Sequence, residues 1–280
     1  MSRKRFFQDC YLKTGWLPMH PLAHRLAVGD ACQLRQGRFQ PLLNIADAHL
    51  IERVGVSQPV VLDPVDWKLS RDVQQTFSET LWAEDDEGER RAFTKQVLEF
   101  SEAGGYLFSA AEVSALLMTN WSQIRDEVTL KLTQLHYGFT DVYVVTGVAR
   151  ASDWGLAVAG QAGGRLDISA SSGSSDHHAL LGHASARVQQ RQGSVDFEQS
   201  EGRAAYFFKA RKLVISDAMH DHYLKQLLEN AADLRPGEIA NWLNTSLLNL
   251  IKSNELNLTT SIGFFAWADL SLDDIERLTA

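Results

Sequence analysis

Three histidines, His177, His178 and His183, fall within the stretch SSDHHALLGH, and a second cluster, SDAMHDHY, follows with Asp217, His220, Asp221 and His222. Neutral imidazoles beside carboxylates are the ligand set of a zinc or iron centre. A metal-dependent enzyme built on His177, His178, His183, His220 and His222 is therefore one reading of this chain. The spacing argues against it. There is no HExxH, no HxH pair with a distant carboxylate, and no other pattern that fixes tetrahedral or facial geometry. The first cluster sits in a loop rich in Ser, Gly and Asp, and Asp217 reads as an ordinary helix N-cap. No metal and no cofactor are expected.

Other catalytic signatures fail as well. The chain has no GxSxG elbow, no GxxxxGK[ST] loop and no dinucleotide fingerprint after a strand. Its two cysteines, Cys10 and Cys32, form no CxxC, which removes a disulfide framework and a thiolate zinc cage. No catalytic residue is nominated, and the protein is not expected to be an enzyme. A net charge of −8 argues against a general nucleic-acid binder, whose affinity rests on pooled Lys and Arg. With 45% hydrophobic and 22% charged residues, the 280-residue chain has the balance of a globular protein. The N-terminus, MSRKRFFQDCYLKTGW, lacks the apolar run of a secretory signal, and no segment reaches the ~20 apolar residues of a spanning helix. The expected compartment is the cytosol.

The elements that carry these residues can be read from periodicity. Residues 3 to 13 form an amphipathic helix in which Phe6 and Cys10, and Phe7 and Tyr11, pair at four-residue spacing while Arg3, Lys4, Arg5 and Lys13 stay polar. Two short strands flank Gln36-Gly37, and EDDEGERR at 84 to 91 is a solvated loop. Trp121, Ile124, Val128, Leu132 and Leu135 make one helical apolar stripe. DVYVVTGVARASDWGLAVAGQ reads as a hairpin turning at Ala151 to Asp153 and rich in small residues such as Gly147 and Gly155. RLDISAS and HASARVQ alternate strictly: Leu166, Ile168, Ala184, Ala186 and Val188 face one way, and Arg165, Asp167, Arg187 and Gln189 the other. RAAYFFKARKLVI closes the sheet, and residues 219 to 253 return to helix. The tail joins an aromatic stretch, Phe264, Phe265 and Trp267, to an acidic helix capped near Ser271. The fold class is α+β, a twisted antiparallel sheet with surrounding helices.

Strict alternation suits a half-buried soluble sheet and a transmembrane hairpin equally. The stretch from DVYVVTGV to HASARV, the later AAYFFKARKLVI, and the upstream order of amphipathic helix, short strands and helix resemble the pore-forming core of the gasdermins, particularly the compact bacterial members. The likeness is strongest over residues 141 to 215. It implies a gasdermin N-terminal-domain-like core at 1–263 and a short inhibitory tail at 264–280 containing Phe264, Phe265 and Trp267. It implies a latent pore former, cytoplasmic while autoinhibited, released when a protease removes the tail. The chain would then form a homo-oligomer in the inner leaflet of the membrane and permeabilise the cell, as in antiphage defence. Arg3, Lys4, Arg5 and Lys13 would meet acidic lipids, Cys10 would be an acylation candidate, and Leu166, Ile168, Ala184, Ala186 and Val188 would face hydrocarbon in a membrane hairpin. A non-catalytic module that binds a partner protein through a sheet edge or Trp-rich surface is the third reading.

Overall fold

The computed structural model describes residues 3–35, 38–84, 90–134, 142–171, 176–183, 185–200, 202–216 and 265–278. Helix α1 (Lys4–Thr14) opens the chain and ends at Gly15, whose left-handed backbone (φ 70°) lets its N–H reach the Tyr11 carbonyl. The strands are β1 (Leu17–Pro18), β2 (Asp30–Arg35), β3 (Arg38–Asn44), β4 (Val60–Val61), β5 (Lys68–Arg71), β6 (Val73–Glu84), β7 (Arg90–Phe100), β8 (Tyr106–Ala111) and β9 (Ser114–Leu117). After helix α2 (Trp121–Gln134) come β10 (Val142–Ala151), β11 (Asp153–Ala159), β12 (Gly164–Ala170), the short helix α3 (His177–Leu181), β13 (Arg187–Gln192), β14 (Val195–Gln199) and β15 (Ala205–Ile215). Strand β16 (Phe265–Asp269) and helix α4 (Leu272–Leu278) close the described chain. The expected class, α+β with antiparallel sheets and helices around them, is the observed one.

Three antiparallel sheets are formed by the described residues. One contains β1, β15, β10, β2 and β3 in order, with β16, β9 and β4 attached; the second runs β14-β11-β8-β5; the third runs β13-β12-β7-β6. A single two-stranded ribbon passes through all three. Leu117 pairs with Gly147, Ala111 with Asp153, Tyr106 with Val158, Phe100 with Gly164 and Thr94 with Ala170, at one unchanged register. The stretches between the last two sheets, 101–105 and 159–163, are equal in length, so the bend there costs no pairing offset.

This ribbon corrects the expected hairpin at 142–159. Strands β10 and β11 do not pair with each other; they are successive lengths of one bent strand, and the polar residues near Ser152 mark the passage between sheets. The small residues there serve packing. A Cβ on Gly155 would lie 2.5 Å from the Leu181 carbonyl oxygen of α3, and one on Gly147 2.9 Å from the Leu117 side chain. The loop expected around the first histidines is partly helical: Asp176 caps α3, which buries Leu180 and Leu181.

Three apolar clusters fill the interior. The largest joins α1 to the sheets, with Phe6 against Tyr106 and Phe108 at ring separations of 5.5 and 5.0 Å. The second packs α2 through Ile124, Val128 and Leu132, as its stripe predicts, against β10 and Phe265. The third holds Leu98, Leu166, Ile168, Ala186, Leu180 and Leu181. In β15 the successive residues Phe207 and Phe208 are both buried, because the largest cluster covers both faces of the strand there.

Candidate membrane-inserting site

The third sheet carries two neighbouring strand pairs. Strand β12 pairs with β13, which begins at Arg187 and not at the expected His183; Leu166 and Ile168 face the third cluster as the alternation predicts, and Ala186, just before the strand, and Val188 pack there too. Ala184 lies outside the described residues. The opposite side of β12 is also covered: Asp167 is 6% and Ser169 1% exposed, Arg165 Nε lies 3.2 Å from the Asp167 carboxylate, and the Gln189 amide donates to Ser169 Oγ. Both faces of this strand are occupied in the compact state.

The other pair, β6 with β7, escaped sequence reading. Its strands pair from Val73↔Phe100 to Glu84↔Arg90, and only 85–89 of the expected acidic loop, outside the described residues, joins them. Leu81 lies opposite Phe93 and Phe77 opposite Val97 on one face; Trp82 projects from the other. Leu81, Trp82 and Phe77 are 54%, 68% and 45% exposed. Large apolar side chains gathered on a projecting hairpin are unusual for a soluble surface. The available signal was length: VQQTFSETLWAE has no Gly, Pro, Asn or Asp over twelve positions.

Helix α1 grips the roots of both pairs. The Arg5 guanidinium bonds Asp72, just before β6, at 3.0 Å and Glu102, just after β7, at 2.9 Å. Arg3 bonds Glu198 at 2.6 Å and also Asp196, both on β14, the strand that follows β13. Lys4 reaches Glu276 of α4 at 3.0 Å, and Lys13 donates to the Val65 and Lys68 carbonyls. All four nominated lipid-binding residues therefore hold partners within the fold. Asp9, on the same helix, accepts from Arg71 and from the Tyr106 hydroxyl at 2.8 Å.

Cys10 faces inward from α1 with no exposed surface, and burial pushes its thiol up to about 12, aided by Asp9 and opposed by the Thr14 contact. A buried neutral thiol is a poor nucleophile. We expect thiol reagents to label neither Cys10 nor Cys32 in the folded protein and both in denaturant. Burial also raises the Cys32 thiol and, with Asp9, the Tyr106 phenol. Unfolded thiols ionise near pH ~8.5 while the folded ones stay protonated, so the unfolded state binds fewer protons above that pH. Stability is accordingly expected to be full below pH ~8.5 and to fall as pH rises toward 12, measurable by denaturant titration at fixed salt.

The tail is pinned to the sheet. Strand β16 adds to β15 from Ile215↔Phe265 to Arg211↔Asp269. Phe265 is buried in the second cluster, and Trp267 meets Trp121 edge to face at 5.0 Å and donates to Thr129 Oγ1 at 2.8 Å. Phe264 lies outside the described residues. Ser271 and Asp274 form a reciprocal N-terminal cap on α4. The Asp274 carboxylate, 3% exposed, also accepts from Tyr143 at 2.9 Å and Lys212 at 2.6 Å. Burial opposes its ionisation, but Lys212, Ser271 and Tyr143 outweigh that and hold it below the usual carboxylate range.

The His177 and His178 rings lie 4.6 Å apart, and no third histidine, cysteine or carboxylate joins them as a ligand set among the described residues. The His178 ring is tucked in with Nδ1 3.1 Å from the Phe108 carbonyl, and burial together with His177 lowers its pKa. His183 faces solvent beside Ser185. Asp217, His220, Asp221, His222 and the helices expected at 219 to 253 lie outside the described residues. No described group of three or more His, Cys, Asp or Glu is placed to hold a metal ion.

These features define an antiparallel α+β protein whose two adjacent strand pairs are held by a basic N-terminal helix. No protein-family model and no curated protein matches the chain. Among solved structures it is similar to the gasdermin A3 membrane pore determined by cryo-EM, at 11% identity over 76% of this chain and 90% of that chain, with a TM-score of 0.37. It is also similar to a bacterial gasdermin from Bradyrhizobium tropiciagri, at 11% identity over 75% of this chain and 87% of that chain, with a TM-score of 0.28.

Proposed function

We propose that the protein is a latent pore former whose β6–β7 and β12–β13 pairs insert into a membrane. The observation that carries this reading is the β6–β7 hairpin, which presents Phe77, Leu81, Trp82 and Phe93 to water at the edge of a four-stranded antiparallel sheet. Strands cross a bilayer only when every backbone group is paired, so insertion requires protomers to join edge to edge into a closed barrel. The sheet order β13-β12-β7-β6 leaves β13 and β6 as the edges for that joining. In the compact state residues 264–280 act as the inhibitory tail: β16 occupies the β15 edge and α4 ties down Lys4 of α1. A protease that removes the tail is the trigger, with the soluble form cytoplasmic and the pore in the inner membrane, where it permeabilises the cell in defence.

Arg3, Lys4 and Arg5 then exchange partners. Freed from Asp196, Glu198, Glu276, Asp72 and Glu102, they meet acidic head groups, and the strand-pair roots lose their clamps. Each cation near an anionic bilayer contributes about 1 kcal/mol, so neutralising all three is expected to weaken sedimentation of the tail-free form with acidic vesicles by roughly two orders of magnitude. Acylation of Cys10 would follow only after α1 has left the core. The deciding experiment is dye release from acidic liposomes by the full chain before and after cleavage ahead of residue 264. Release after cleavage alone supports the reading, and a cleaved protein that stays soluble and releases no dye overturns it.

A further inference from the structure

We propose that the cavity between β13, β14 and the Pro21–Ala23 segment is a binding site for a phosphate-bearing anion. It is an open cavity of about 450 Å³ into which Arg187 and Arg191 project from β13 and Arg203 from the turn before β15. That volume lies within the range of small-ligand sites, ~300–1,000 Å³. Among the described residues Arg187 bonds the Ala186 carbonyl, at 3.0 Å, and Arg191 lies over the Phe197 ring, 5.7 Å from its centroid. Neither meets a carboxylate among the described residues. Glu198, which also lines the cavity, is bonded by Arg3 at 2.6 Å, a guanidinium it shares with Asp196. Arg187 and Arg191 therefore bring positive charge to one wall of the cavity, on a chain whose net charge is −8.

The residue types fit phosphate. Guanidinium forks match its oxygens in pairs, and an arginine resting on an aromatic ring is held ready with less entropy left to lose. Val188 and Phe197, both packed against the third apolar cluster, offer a surface for the carbon part of a ligand. A phosphate ester joined to an apolar or planar group uses both features, whereas a simple inorganic anion uses only the arginines. An occupant that bridges Arg187 and Arg191 to Arg203 ties β13 to the body. If β12–β13 is the moving pair of the proposed function, such a ligand stabilises the compact state by mass action. It is also coupled to the Arg3–Glu198 pair: loss of Arg3 returns a bare carboxylate to the lining and weakens the ligand, and by reciprocity the ligand favours a seated α1.

The test is calorimetric titration and thermal shift on the full uncleaved chain, with inorganic pyrophosphate and a monomeric short-chain phosphatidic acid as probes. Sodium chloride at matched ionic strength is the control. Saturable binding of either probe, raising Tm by several degrees and weakened at least tenfold in Arg187→Gln/Arg191→Gln, supports the site. Both arginines are exposed, so the variant's ligand-free Tm should equal that of wild type. Tighter binding of the short-chain lipid assigns a lipid head group, and tighter binding of pyrophosphate assigns a free phosphate compound. Absence of saturable heat with both probes, or equal binding by the double variant, overturns the proposal. Neither outcome depends on pore formation, so this site and the proposed function fail separately.

Discussion

Asp274→Ala is expected to destabilise the uncleaved protein by about 3 kcal/mol, because it leaves the half-buried Lys212 ammonium and the Tyr143 hydroxyl without their carboxylate and removes the α4 cap. For a domain of this size that is a fall in Tm of roughly 10 °C. The tail should also become the first target of limited proteolysis. Asp274→Asn keeps an acceptor for Tyr143 and loses the charge facing Lys212, so it should fall between. The pH dependence has a definite sign. A carboxylate whose folded pKa is depressed contributes stability above its unfolded value, near pH ~3.9, and loses it as pH falls through the folded value. Acid should therefore loosen the tail more in wild type than in Asp274→Ala, which retains, among the described residues, only the exposed pairs of Glu276 and Asp269. Equal acid sensitivity of the two proteins would remove Asp274 as the anchor.

The second large effect separates folding from insertion. Leu81→Arg replaces a side chain that already faces water, so the compact protein should keep its Tm within the shift of about 0.5 kcal/mol usual for surface changes. A crossing of about ten residues that turns at 85–89 places Leu81 near the bilayer midplane, where an arginine costs on the order of 2–4 kcal/mol per protomer. Dye release after cleavage should fall at least tenfold. Ala186→Arg behaves oppositely: Ala186 is buried in the third cluster, and an arginine there should unfold the compact state before any membrane is met. Full release by cleaved Leu81→Arg would take β6–β7 out of the pore.

Much of this architecture is legible locally. The α1 stripe, the α2 stripe, the β2–β3 pair and the two faces of β12 follow from short-range periodicity and match the structure. The β6–β7 pair was not legible for a physical reason: β6 is exposed along nearly its whole length and has no buried face to impose a hydrophobic alternation on it. The 142–159 stretch failed in the opposite way. Buried on both sides, it shows a continuous apolar run, and a polar passage between sheets looks like a turn. The contacts of Arg3 and Arg5 are least legible, since their carboxylates lie from 67 to 195 positions away. Only the fold brings them together.

The unbroken register from Leu117↔Gly147 to Thr94↔Ala170 constrains how this sequence can vary. Side chains alternate with a period of two, so deleting one residue from either strand of the ribbon would turn every later side chain inside out. Removing one residue from 101–105 together with one from 159–163 would keep all partners facing. Length changes along the ribbon should therefore arise in matched pairs, one on each strand, while the connections at 85–89 and 172–175 can change length singly. The two long strands inherit each other's insertions, as two edges of one zip fastener must keep the same number of teeth.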